Sequence, residues 1–173
     1  MKPTEFRLQV IRPALSVLAL PGGLSDSSED LLLGTAIQES GLRNIRQIGG
    51  GPARGYFQME SSTYEDCWVN YLNQRPALAD KLRQLCAPDP PSVAELIGCP
   101  KFAAGMARIK YLRAPEQLPP RGDIEAYARY WKRIYNAGGS GTVEEFVRNW
   151  HQAVNDADAD VGGSAHKSPD QEV

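Results

Sequence analysis

The stretch Leu31–Glu60, "LLLGTAIQESGLRNIRQIGGGPARGYFQME", decides how this chain is read. Its first ten residues are apolar at helical spacing, and Gly41 follows at once, as glycine commonly does after a helix. On a helical wheel Leu32, Leu33, Ala36 and Ile37 span the apolar arc, and Glu39 sits at its edge beside Leu32. Then comes a loop with Gly49, Gly50 and Gly51 in a row, and a polar Gln58 between Phe57 and Met59. The pattern predicts a buried helix that carries one carboxyl in its last turn, beside a loop.

A carboxyl so placed is half in the core and half at a cleft. Partial desolvation and the negative end of the helix dipole both raise its pKa. An acid that stays protonated near neutral pH is what general-acid catalysis at a glycosidic oxygen needs. The same position also suits a Glu that simply points to water, and this helix alone does not separate the two.

Outward from this segment the chain reads as all-α. Thr4–Leu20 has helical spacing, and Pro13 is expected to kink it or to start a second short helix. Ser27 with Asp30 resembles a capping box for the helix ending at Gly41. Ser62 with Glu65 opens a helix bearing Cys67 and Trp68, and Pro76 starts one that runs to about Leu85. A short helix follows Ser92, and Pro100 begins a helix through Leu112. Asp123–Asn136 is a helix with Tyr127, Trp131 and Ile134/Tyr135 on one face. Thr142 with Glu145 caps the last helix, expected to end near His151. No alternating strand of useful length is present, although residues 44–58 have room for a short hairpin. Residues 1–154 read as one domain, and the acidic segment 155–173, poor in apolar residues, reads as a disordered tail.

Charge and cysteine usage narrow the function classes. The chain has 173 residues and a formal net charge of -2; Asn155–Val173 carries -4, which leaves +2 for the rest. That is too weak for nucleic acid but compatible with a polyanionic surface such as a bacterial wall. Cys67, Cys86 and Cys99 are odd in number and lack metal spacing, and His151 and His166 are the two histidines. No zinc site or other metal is expected, and the thiols are expected to be free, mostly buried and made in a reducing compartment. No apolar run is long enough to span a membrane. "ALSVLAL" after Lys2, Arg7 and Arg12 is a poor signal peptide and reads as an amphipathic helix.

"QESGL" (Gln38–Leu42), "GYFQM" (Gly55–Met59) and "YNAG" (Tyr135–Gly138) resemble, in order, the three motifs of lytic transglycosylases of the soluble type. The fold of that family is related to goose-type lysozyme. The first two motifs lie 19 residues apart, from Glu39 to Gln58, which suits the family. The resemblance spans roughly Leu31–Trp150. Here Tyr56-Phe57 stands where the family has Leu-Met, and "GGGPAR" replaces the family's Ser-x-x-Gly-Ala. By position, the resemblance makes Glu39 the single catalytic acid/base and Ser40 an aid to local geometry. Gly55, Tyr56 and Gln58 would line a saccharide cleft, with Tyr135 and Asn136 on the opposite wall. Each has a plainer reading: Tyr135 as a core tyrosine, Asn136 as a C-cap, Gln58 bonded to loop backbone, and Tyr56 as packing.

The family implies cleavage of the bond between N-acetylmuramic acid and N-acetylglucosamine in peptidoglycan glycan strands. It leaves 1,6-anhydromuramoyl ends and uses no metal or cofactor. The wording of Gln38–Glu60 also looks like virion-associated murein hydrolases of tailed bacteriophages. That implies synthesis in the host cytoplasm without a signal peptide, carriage with other virion proteins, and action in the periplasm. Two alternatives remain at this level. One is a hydrolytic lysozyme that uses Glu60, Glu65 or Asp66 to activate water; the other is a non-catalytic virion structural or ejection protein with the same fold.

Overall fold

The computed structural model describes residues 1–20, 25–43, 51–87 and 89–162, with side chains described as far as Asn155. Gly49, Gly50 and most of the acidic tail therefore lie outside the described residues.

The described chain is helical: α1 (Pro3–Phe6), a π-helical turn (Arg7–Ile11), α2 (Arg12–Leu18), α3 (Asp26–Ser40) and α4 (Ser61–Asn70). A 3-10 turn (Leu72–Gln74) leads to α5 (Pro76–Arg83), α6 (Glu95–Gly98), α7 (Pro100–Leu112), α8 (Ile124–Ile134) and α9 (Val143–Gly162). No strand forms among the described residues; an isolated antiparallel bridge joins Arg54 and Met59. The expected all-α class is what the chain adopts.

Pro13 stands at the start of a further helical element, the second of the two outcomes expected of it. It falls at the second position of α2, directly after the π turn, where the Arg12 amide bonds to the Arg7 carbonyl. Proline's ring crowds the carbonyl one turn back, and the wider turn makes room for it.

α3 is the central helix. Leu31, Leu32, Leu33, Gly34, Thr35, Ala36 and Ile37 are all buried, so its apolar surface is the whole circumference of its middle rather than one arc. It begins two residues earlier than the sequence pattern implied: Ser25 is the N-cap, its hydroxyl accepting from the Ser28 amide at 3.2 Å. Gly41 closes it in the left-handed conformation, φ 57°, with its amide bonded to the Ile37 carbonyl at 2.8 Å.

Two neighbours fix how α3 lies. Gly34 meets α9 so closely that a Cβ there would sit 2.4 Å from Phe146 Cζ. On another side Thr35 Oγ1 is 2.7 Å from the buried Tyr111 hydroxyl of α7, which satisfies both groups in the core. At its start Glu29, almost fully buried, accepts from Arg12 Nε at 3.0 Å and from Arg7 at 3.4 Å, and so ties α3 to the N-terminal helices.

α8 buries Tyr127 and Trp131, as its spacing implies, together with Ala128 and Tyr130; Tyr135 just after it is buried and Ile134 is half-buried. α9 starts with a reciprocal cap: the Thr142 amide donates to Glu145 and the Glu145 amide to Thr142 Oγ1. It runs on to Gly162, eleven residues past the expected end at His151, so the first part of the segment read as a tail is helical backbone. α4 begins at Ser61 with Glu60 as N-cap and without the expected Ser62–Glu65 box. Cys67 is buried, while Cys86 and Cys99 are half-buried; all three are free thiols. No helix among the described residues is long and apolar enough to cross a membrane.

Candidate functional site

A cleft of about 1310 Å³ opens where the C-terminal end of α3 meets the 53–60 turn, α7, the loop after α8 and α9. Glu39 stands on its wall, half-buried. Oε1 of Glu39 accepts from Trp131 Nε1 at 2.9 Å. Burial raises the Glu39 pKa; the Trp131 hydrogen bond, the Lys110 charge and the Asn136 amide act against that rise. The cause anticipated from the helix position, poor solvation, is the leading one.

Lys110 comes from the last turn of α7 and reaches the same cleft. Its ammonium donates to the Tyr135 carbonyl at 2.7 Å and lies 4.1 Å from the centre of the Tyr135 ring. Burial lowers its pKa and the nearby Glu39 raises it.

Asn136 is positioned by the loop that follows α8. Lys132 Nζ binds the Asn136 carbonyl, the Asn136 Oδ1 and the Gly139 carbonyl at 3.2, 3.2 and 2.7 Å. So held, the Asn136 side chain is close enough to Glu39 to lower its pKa. On the other side, Asn149 of α9 donates to Gln38 Oε1 at 2.8 Å, which builds a wall of amides next to the acid.

The other residues singled out by sequence fall into two groups. Gln58 and Tyr135 line the cleft with Glu39 and Asn136. Both are also engaged by the protein: Gln58 Nε2 donates to the Gly55 carbonyl at 2.8 Å, and the buried Tyr135 hydroxyl donates to the Phe57 carbonyl at 2.9 Å. Tyr135 thus ties the wall opposite Glu39 to the 53–60 turn and presents its ring and backbone, with the hydroxyl already committed. Ser40 is buried at the cleft edge, its hydroxyl bonded to the Ala36 carbonyl at 2.9 Å, so it finishes α3 rather than offering a free donor.

Gly55 and Tyr56 lie behind the turn. Tyr56 packs edge-on against Phe6 of α1, with ring centroids 5.0 Å apart. Gly55 has φ 72°, and a Cβ there would stand 1.9 Å from the Leu96 carbonyl oxygen of α6. Its lack of a side chain serves close backbone approach, not a ligand.

Sequence reasoning missed Trp131 and Lys110 as partners of Glu39, and Gln38 and Asn149 as cleft residues. Trp131 was visible as a core residue of α8; nothing in its neighbourhood marks it as the donor to a carboxyl 92 positions away. Of the three acids weighed for a second role, Glu60 is exposed on the cleft rim, while Glu65 and Asp66 do not line the cleft and Asp66 is held by Arg113 and Asn70. Among the described residues no group of three or more His, Cys, Asp or Glu is arranged to hold a metal ion. Chemically, the site offers one poorly solvated acid, hydrogen-bond donors aimed at it, and amides that suit a neutral polyhydroxylated or acetamido ligand.

No protein-family model, curated protein or solved structure matches this chain.

Proposed function

We propose that this protein is a peptidoglycan-cleaving lytic transglycosylase of lysozyme-like fold, with Glu39 as its acid and then its base. The observation that carries the reading is Glu39 itself: a half-buried carboxyl at the end of a core helix, its pKa raised by burial, on the wall of an open cleft. The motif resemblance had assigned this residue the same role.

In this reaction Glu39 gives its proton to the oxygen that joins N-acetylmuramic acid to N-acetylglucosamine, and the C1–O bond breaks. The substrate's own acetamido group supports the cation that develops. The Glu39 carboxylate then removes the C6 hydroxyl proton as O6 bonds to C1. An internal nucleophile has the entropic advantage of proximity over water. The amides of Gln38, Asn136 and Asn149 line the cleft where sugar hydroxyl and acetamido groups would lie. A phage-borne role, with the enzyme carried in the virion to the periplasm, belongs to the same proposal.

A second reading is favoured by one observation. Glu60 is exposed at the rim of the cleft that holds Glu39, so a two-carboxylate lysozyme is available to this geometry. Mass spectrometry of muropeptides from digested peptidoglycan separates the two. The transglycosylase gives anhydromuramic ends, lighter than hydrolysed ends by one water, and Glu60→Gln keeps them. Glu39→Gln lowers the rate about 10²-fold to 10⁴-fold. Reducing muramic ends, lost in Glu60→Gln, would establish the hydrolase instead. A Glu39→Gln protein as active as the wild type would remove both readings.

A further inference from the structure

A one-carboxylate mechanism asks an unusual thing of Glu39: it must release a proton and then tolerate the charge long enough to take another. Burial alone makes a strong case for the acid form and a poor one for the carboxylate that follows. Two groups at this site answer the second requirement, Trp131 of α8 and Lys110 of α7.

Trp131 has no solvent exposure, so the oxygen it holds, Oε1, faces α8 and the core. An indole N–H donates and cannot accept. A carboxylic acid in this position therefore keeps its proton off Oε1 and carries it on Oε2. Lys110 adds a positive charge in the same poorly solvated space, where charge interactions are stronger than in water. Its own placement is fixed by the Tyr135 carbonyl and ring, so the charge does not follow a mobile side chain.

We propose that Trp131 and Lys110 are positioning residues for Glu39: the indole fixes Oε1 so that the proton leaves and returns through Oε2, and the ammonium supports the carboxylate between the two transfers. This rests on reading Glu39 as the acid. The proton balance is closed: Oε2–H protonates the leaving glycosidic oxygen, and Oε2 regains a proton from the C6 hydroxyl. No other group has to change its ionisation.

The ionisable groups facing Glu39 are Lys110 and Tyr111 of α7 and Tyr135 after α8; Lys2, Arg43, Glu60 and the Met1 ammonium, which donates to the Leu42 carbonyl, stand on the rim of the cleft. From α9 the cleft is lined by Asn149 and Gln152, which are uncharged. Lys110 is thus the cation that substitution can remove without touching the rim.

The test has a substrate-free arm and a catalytic arm, both on the full chain. In the first, the Glu39 carboxyl is titrated by carbon NMR of glutamate-labelled protein, its signal assigned by loss in Glu39→Gln. Trp131→Phe and Lys110→Met each move the titration to higher pH, because each removes a group that favours the charged form. Lys110→Arg leaves it near the wild-type position. In the second arm, turnover of peptidoglycan falls on the order of 10-fold in Trp131→Phe and Lys110→Met, with KM little changed. The alkaline limb of the rate profile moves up with the titration. A merely structural role for either residue would leave that limb in place.

Should Trp131→Phe fail to fold, the Lys110 pair decides the matter. Folded variants whose Glu39 titration is unmoved overturn the proposal, even if the wild type cleaves peptidoglycan. A titration that moves as described, in a protein that cleaves nothing, retains the positioning and removes the transglycosylase reading.

Discussion

Glu39 is where folding and chemistry pull in opposite directions. Its pKa in the folded chain lies above the ordinary carboxylate value because burial disfavours the charge. The sign for stability follows. Below the unfolded pKa, about 4.3, the carboxyl is neutral in both states and costs nothing. As pH rises through that value toward the folded pKa the penalty grows, and above the folded pKa it is complete. Glu39→Gln should therefore raise Tm at pH 8 and leave it unchanged below about pH 4. Thermal unfolding followed by circular dichroism at the two pH values checks this. A lower Tm for the variant at pH 8 would mean that Trp131, Lys110 and Asn136 more than compensate the burial. At this scale the sequence is informative about the acid and silent about its partners. Position in the last turn of an apolar helix is enough to imply poor solvation, whereas the donor lies on a helix whose relation to α3 no local pattern encodes.

The helices were legible because helix ends have chemistry. Gly41, Pro100, Asp123 and the Thr142–Glu145 pair stand at the ends where their side chains or conformational freedom are needed. The turn from Ala53 to Glu60 was not legible. It has positive φ at Gly55 and at Gln58, 72° and 43°, and no repeating backbone angle from which to infer which side chains share a face. Hence Tyr56 and Gly55 were assigned to the cleft, while the turn sends them toward Phe6 and α6 and keeps Gln58 at the front. Gly55→Ala tests how firmly the turn is held. A Cβ would require left-handed strain and displacement of the Leu96 carbonyl, together costing about 2 to 4 kcal/mol. Urea unfolding should register that loss, and activity should fall as Gln58 and the Tyr135–Phe57 link are disturbed. An alanine variant of wild-type stability would show that α6 yields easily.

Across the whole molecule the site is assembled from segments remote in sequence, and the N-terminal helices brace the assembly. Glu29 is the junction: its side chain is 4% exposed, between Arg7 at 22% and Arg12 at 46%. If Glu29 is lost, Arg7 keeps its 2.7 Å ion pair with Asp30 and Arg12 can rehydrate; Glu29 has no such recourse if the arginines are lost. Replacing both arginines by alanine should therefore destabilise more than Glu29→Ala does, with a loss of about 3 to 5 kcal/mol for the stranded carboxylate. Denaturant midpoints at pH 7 give the comparison. Equal losses would mean that packing of Phe6, Val10 and Ile11, rather than charge, holds the N-terminal helices on α3. Composition and periodicity gave no hint of this junction, because nothing local pairs Arg7 and Arg12 with a carboxylate 22 and 17 positions away.

The hydrogen bond from Trp131 to Glu39 has an optical consequence. An excited indole responds to the electric field around it, and here that field contains a carboxyl whose charge comes and goes. Trp131 is sealed from water, so solvent quenchers and bulk polarity contribute little to its emission. Ionisation of Glu39 and the seating of a ligand against it are thereby written into the intrinsic fluorescence of the unlabelled protein.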